Sequence, residues 1–417
     1  MEKISIKNFG GLKNIEFEFK KINIIIGPQA SGKSITVKLT FFFKDFFKSI
    51  FKSIIEGDTK RDIDNKQKEK FITYFPREAW GTEDFEILYE INESYIKITR
   101  NGSTTFKIEY SADISKTIKK GRKLYADELG KFEGELRVPR FTLSYQFRQR
   151  FEECLSSDID KLTAYDQYFV PAGRSFFANL QSGIFSFLSN NRQLDPFLIE
   201  FGSFYETFKQ YTGNRNDTRK KRSHFENLES ELINGEYILE KDKDYLMHKD
   251  NRKVNLTNAS SGQQEILPLI LIMRALYEMK FRHGATLYIE EPEAHLFPTA
   301  QRKIVQLLSR VFNERSESMQ LIITTHSPYI VSSFNNLLEA GRIINEEPKH
   351  AEQVYKIIPK NEVINPKYLV AYSLQNGVKR MIIDEETQLI SQNILDGVSD
   401  DISVEFGNLL EIGDDEL

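Results

Sequence analysis

Apolar and polar positions alternate at the start of the chain, through Ile4 and Ile6 and then Ile15, Phe17 and Phe19. Gly10-Gly11 lies between the two runs, so the pattern predicts a β-hairpin. Residues 22–26 are almost wholly apolar and β-branched and predict a buried strand. From 35 to about 55 apolar residues recur at helical spacing and include Phe41, Phe42, Phe43, Phe46, Phe47 and Phe51. That spacing predicts packing under a sheet in preference to a base-stacking surface. Residues 56–70 are polar and charged and read as a surface loop. Alternation returns over 85–110, through Ile87, Tyr89 and Ile91, with Asn101-Gly102 as a turn signal. Residues 112–165 read as mostly helical and charged. Tyr168-Phe169-Val170 forms a short apolar strand before Pro171-Ala172-Gly173-Arg174. Residues 266–279 predict a buried helix with Ser260 as N-cap, while 285–289 and 321–325 predict two more buried strands. No sustained heptad pattern and no internal repeat is visible.

Composition narrows this picture. A chain of 417 residues is long enough for one large domain or two lobes. Lys+Arg number 57 against Asp+Glu 61, a net charge of −4, so global charge neither demands nor excludes nucleic acid. Cys154 is the single cysteine, which excludes an internal disulfide framework and suits a reducing cytoplasm. No secretory pattern opens the chain, and the apolar stretch 41–55 is interrupted by Lys44, Asp45, Lys48 and Lys52. A soluble, cytoplasmic protein without a membrane partner is expected.

Chemistry enters at Gly27-Pro28-Gln29-Ala30-Ser31-Gly32-Lys33-Ser34, a G-x-x-x-x-G-K-S phosphate-binding loop between a strand and a helix. Glycines let backbone N–H groups close around phosphates, and the helix start adds positive potential. Lys33 is expected on the β- and γ-phosphates of a nucleoside triphosphate and the Ser34 hydroxyl on Mg²⁺. At the end of the 285–289 strand stand Glu290 and Glu291. Two adjacent carboxylates suit a division of labour, Glu290 holding the Mg²⁺ shell and Glu291 activating water. His326, after the 321–325 strand, is placed to donate to the γ-phosphate. A metal cluster of His295, His326 and the glutamates is disfavoured because no tight ligand spacing unites them. Arg174 suits a phosphate, a neighbouring subunit or a structural ion pair, and the sequence does not separate these. Two basic runs, Lys116-Lys119-Lys120-Arg122-Lys123 and Arg215 with Arg219 to Arg222, read as solvated surfaces before phosphodiester contacts.

In order along the chain, Gly27 to Ser34, Ala259 to Gln263, Leu287 to Glu291 and His326 resemble an ABC-type ATPase head. They match its Walker A, signature, Walker B with catalytic glutamate, and switch histidine. The signature reads Ala-Ser-Ser-Gly-Gln where Leu-Ser-Gly-Gly-Gln is usual, and Glu290 stands where aspartate is usual. The phrases Ile289-Glu290-Glu291-Pro292-Glu293-Ala294-His295-Leu296 and Thr325-His326-Ser327-Pro328 resemble the OLD/RecF/SMC-like AAA branch. The resemblance extends from residue 1 to about 332, loosely in its middle. The remainder, through Ile383-Asp384, Leu389-Ile390-Ser391 and Val404-Glu405-Phe406, resembles stand-alone defence ATPases of the PARIS and Septu kind.

The resemblance implies an α/β P-loop NTPase, an ABC-ATPase head with an antiparallel β subdomain and an inserted helical lobe. It divides 1–417 into an N-terminal lobe (1–110), a mostly helical insertion (111–250), the motif-bearing part (251–335) and an α/β completion (336–417). Ser260, Ser261, Gly262 and Gln263 would then act in trans, on ATP held by another copy, so a homo-oligomer with composite sites is implied. The activity implied is ATP hydrolysis, as sensor or scaffold of a bacterial anti-phage system that controls a separate nuclease or toxin. The alternative is a RecF-type repair ATPase whose ATP-bound dimer clamps DNA.

Overall fold

The computed structural model describes residues 1–102, 105–132, 140–179, 194–213, 224–241, 243–279, 281–391 and 403–406. The basic run from Arg215 to Arg222 lies outside them.

Strands β1 (Glu2–Phe9) and β2 (Leu12–Phe19) form the expected hairpin, with Ile4 opposite Phe17 and Ile6 opposite Ile15. β3 (Ile22–Ile26) does not extend that sheet. It runs through the middle of a second one, buried on both faces as its β-branched run requires. β4 (Phe85–Ile91), β5 (Ser94–Arg100) and β6 (Lys107–Tyr110) complete the first sheet in the order β2-β1-β4-β5-β6, all antiparallel.

The second sheet has the order β14-β13-β3-β12-β11-β7. It takes in β7 (Asp166–Val170), β11 (Ala285–Glu290), β12 (Met319–Thr325), β13 (Leu369–Gln375) and β14 (Val378–Met381). Every pairing is parallel except that of β13 with β14. Register brings the strand ends level: Thr325 lies opposite Ile26, Thr324 opposite Glu290, and Ile289 opposite Val170. Four connecting loops therefore emerge along one edge, where open α/β sheets hold their ligands. β7 falls within the stretch expected as a mostly helical insertion, so that stretch also supplies an edge of the central sheet. A small antiparallel sheet of β8 (Glu236–Glu240), β9 (Lys243–Met247) and β10 (Lys253–Asn255) follows it.

Helix Lys33–Ile55 lies between the two large sheets, which explains its aromatic content. Phe41 packs edge-on against Phe169 and Tyr288 of the central sheet, and Phe43 stacks on Tyr89 of the other. Phe41, Phe42, Phe43, Phe46 and Phe47 are all at most 1 % exposed, so they are core and offer no base-stacking surface. Burial of each such ring contributes about 1.5–3 kcal/mol. A buried ion pair fastens the same helix to the first strand: Lys44 Nζ lies 3.0 Å from a Glu2 carboxylate oxygen, and Tyr89 and Gln320 donate to Glu2.

One expectation fails outright. Most of 56–70 is not a loop: helix Lys60–Tyr74 occupies it, opened by a capping box in which Thr59 and Asp62 satisfy each other's backbone N–H. In the basic run of helix Ala112–Gly130, Lys116 pairs with Asp113, Lys120 with Asp158, and Arg122 donates to the Asp58 carbonyl. Two of its five positive charges are therefore paired with carboxylates. Among the described residues no helix is long and apolar enough to cross a membrane.

Candidate active site

The loop between β3 and helix Lys33–Ile55 turns through left-handed backbone at Ala30 (φ 58°) and Gly32 (φ 98°). Gly32 caps the helix with no side-chain bond, so first-turn N–H groups face the loop unpaired by any cap. Lys33 is buried, and its ammonium donates to the carbonyls of Gly27 at 2.8 Å and Pro28 at 2.7 Å. Burial lowers its pKa, while Glu291, Glu293 and Glu290 work in the opposite direction.

Lys33 Nζ also lies 3.3 Å from His326 Nδ1, and His326 Nε2 lies 2.7 Å from Glu291 Oε1. A charged ammonium has only donors, so Nδ1 must accept. The imidazole proton then sits on Nε2 and is donated to Glu291. Three loops of the central sheet are thereby joined in one chain, Lys33–His326–Glu291. Glu291 itself has left-handed backbone (φ 46°), and its N–H donates to the Thr324 carbonyl at 2.9 Å.

Glu290, the last residue of β11, is 5 % exposed. Its Oε2 accepts from the Ala172 N–H at 3.3 Å, and the Ser34 hydroxyl is beside it. Its Oε1 is buried with no hydrogen-bond partner among the described residues. Burial raises this carboxyl's pKa, opposed first by Lys38, whose own ammonium pairs with Asp195 at 2.8 Å.

Ser260 caps helix Ser261–Glu278 through a capping box with Gln263. Ser260 and Ser261 are exposed, whereas Gln263 is held in its own chain by the Ile233 carbonyl at 2.7 Å. A Cβ on Gly262 would come within 3.0 Å of the His295 carbonyl, so the turn packs closely on the loop that follows β11. Among the described residues no hydrogen bond or ion pair joins Ser260, Ser261, Gly262 or Gln263 to Lys33 or its loop.

Arg174 is fully buried and takes the structural one of its three roles. It donates to the carbonyls of Glu265 at 2.9 Å, Pro171 at 3.2 Å, Glu290 at 3.0 Å and Glu291 at 3.2 Å. The Glu265 carboxylate lies 3.5 Å away and accepts the N–H groups of Arg174 and Ser175. Glu265 and Glu293 carry no role in the sequence reading although both adjoin recognised motifs. A cavity of about 590 Å³ opens at the other end of helix Lys33–Ile55, beside Phe47, Phe51 and Tyr165, and includes no residue of the phosphate loop.

A mostly parallel sheet that brings a phosphate loop, paired strand-end glutamates and His326 to one edge has the α/β layout of a P-loop ATPase. Residues 148–331 match the AAA ATPase domain family, less than half of the chain and beyond the phosphate loop. No curated protein matches. Solved structures similar to the chain include the SMC head domain from Thermotoga maritima, at 15 % identity and TM-score 0.36 over 91 % of this chain and 97 % of that one. Another is the Smc head with an extended coiled coil, bound to the C-terminal domain of ScpA, from Pyrococcus furiosus. It has 13 % identity and TM-score 0.39 over 97 % and 100 % of the two chains. A third is the recombination mediator protein RecF, at 12 % identity and TM-score 0.30 over 91 % and 97 %.

Proposed function

We propose that the chain hydrolyses Mg²⁺-ATP in sites shared between two copies and uses the cycle to hold and release a separate effector, as the sensor subunit of a bacterial anti-phage system. The Lys33–His326–Glu291 chain carries the catalytic part of this reading. Lys33 turns from the carbonyls of its own loop to the β- and γ-phosphates. His326 transfers its Nε2–H bond from Glu291 to a γ-phosphate oxygen, which frees Glu291 to orient and deprotonate the attacking water. The orphaned Glu290 Oε1 and the neighbouring Ser34 hydroxyl suit Mg²⁺, which binds through one or two carboxylates together with phosphate oxygens. When bound, the ion supplies charge neutralisation at the phosphates.

The signature turn of Ser260 and Gly262 faces out at a helix start, a placement suited to closing over the triphosphate of another copy. The defence role rests on the resemblance of the stretch through Ile383-Asp384, Leu389-Ile390-Ser391 and Val404-Glu405-Phe406 to stand-alone defence ATPases, since the phrases at Ile289 to Leu296 and Thr325 to Pro328 are shared with repair ATPases of the same branch.

The test uses Lys33→Ala and Glu291→Gln in the full chain. Lys33→Ala is expected to lose ATP binding. Glu291→Gln is expected to retain it while single-turnover hydrolysis slows by about 10²–10⁴-fold, so that an ATP-bound dimer accumulates on a sizing column. Parental hydrolysis by Glu291→Gln would show that another group is the base. Co-purification of a genetically neighbouring nuclease or toxin with the ATP-locked form supports the effector role. Salt-sensitive capture of duplex DNA by that form, with no protein bound, would replace it with a DNA clamp.

A further inference from the structure

The loop after β11 and the loop after β12 are laced together by a carboxylate outside the Lys33–His326–Glu291 chain. Glu293 Oε1 accepts from the Thr325 hydroxyl at 2.7 Å and from the backbone N–H of His326 at 2.6 Å. The direction of these bonds is fixed. The Ser327 N–H donates to Thr325 Oγ1 at 3.0 Å, so the hydroxyl proton is left to point at Glu293. The His326 N–H is a donor in every state, so the single oxygen Oε1 must accept twice.

A second tie runs in parallel. Gln301 donates to the Leu296 carbonyl at 2.9 Å and its Oε1 accepts from the Ser327 hydroxyl at 2.5 Å. The backbone around the switch histidine is therefore gripped on both sides by the segment that carries Glu291. Glu293 Oε2 is buried and has no hydrogen-bond partner among the described residues. A half-satisfied carboxylate is costly to bury, and the Lys33 and Arg174 charges that it influences offset part of that cost.

We infer that Glu293 is a positioning residue: it sets the backbone at His326 so that the imidazole spans Lys33 and Glu291, and it makes the two loops move as one. Glu293 does not reach the reacting atoms. It acts through His326, at the distance where a misplacement of about 1 Å costs on the order of 10²-fold in rate. This rests on the catalytic reading of His326 and Glu291.

The test is a double-mutant cycle on the full chain, reading kcat, ATP affinity and thermal midpoint together. Glu293→Ala is expected to lower kcat by roughly tenfold or more with ATP affinity within about threefold of the parent. Glu293→Gln, whose carbonyl oxygen can accept both bonds, should retain most of the turnover, and Thr325→Val, which removes one bond, should fall between them. In a His326→Ala background, Glu293→Ala should cause no further loss. An equal loss of kcat in both backgrounds, or parental kcat in Glu293→Ala, overturns the inference. If Glu293→Ala fails to fold, Thr325→Val in the two backgrounds decides in the same way. A His326→Ala chain that turns over like the parent would overturn the catalytic reading itself, a result distinct from either.

Discussion

At the scale of single residues, the phosphate loop serves the sheet as well as the nucleotide. A Cβ on Gly27 would stand 2.0 Å from the backbone carbonyl of Leu374, at the end of β13. Backbone cannot yield as a side-chain tip can, so the glycine is demanded by a strand almost 350 residues later in the sequence. Gly27→Ala is expected to cost about 1–3 kcal/mol of stability without any nucleotide present, as overpacking does. Gly130→Ala is the control, since no described residue lies within 4 Å of a Cβ there. Urea unfolding of both should show a lower midpoint for Gly27→Ala alone, and an unchanged midpoint there would remove the steric argument.

At the scale of elements, Arg174 joins three of them: the turn after β7, the end of β11 and the first turns of helix Ser261–Glu278. Its forked guanidinium serves several carbonyls at once, which a lysine ammonium cannot do in the same geometry. Arg174→Met leaves Glu265 buried and uncompensated and is expected to destabilise by about 3–5 kcal/mol. Adding Glu265→Gln should restore part of the melting temperature while turnover stays low, because the carbonyls of Glu290 and Glu291 remain unheld. Parental turnover in the double variant would show that these elements need no such tie. Strands and helices with strong periodicity were legible in the sequence, as was the N-cap at Ser260. Helix Lys60–Tyr74 was not, because it buries only Ile63, Gln67 and Phe71 and is otherwise polar. Its start was nonetheless written in Thr59 and Asp62, three residues apart. Roles for Arg174, Glu265 and Glu293 could not be read locally, since apart from Pro171 their partners lie between 32 and 117 residues away.

At the scale of the molecule, the exposed Ser260 turn and the buried Lys33 predict division of labour between copies. Ser260→Arg should leave ATP binding nearly intact, cost about 1 kcal/mol of helix capping, and block hydrolysis. Mixed with Lys33→Ala, it gives heterodimers with one doubly defective site and one intact site. At equal proportions, hydrolysis should recover to about a quarter of the parental rate, since half the dimers carry one good site of two. No recovery at any ratio would place the complete site within one chain.

The flanks of β3 have a consequence for how the protein is born. The strand that leads into the phosphate loop is hydrogen-bonded on one side to β12 and on the other to β13, residues 319–325 and 369–375. A growing polypeptide therefore displays the complete G-x-x-x-x-G-K-S text long before it owns either neighbour that holds the loop in shape. Such distant pairings form late and slowly. The ribosome must deliver the chain through β13 before the loop is clamped on both sides, so a translation product interrupted earlier carries the motif without the enzyme.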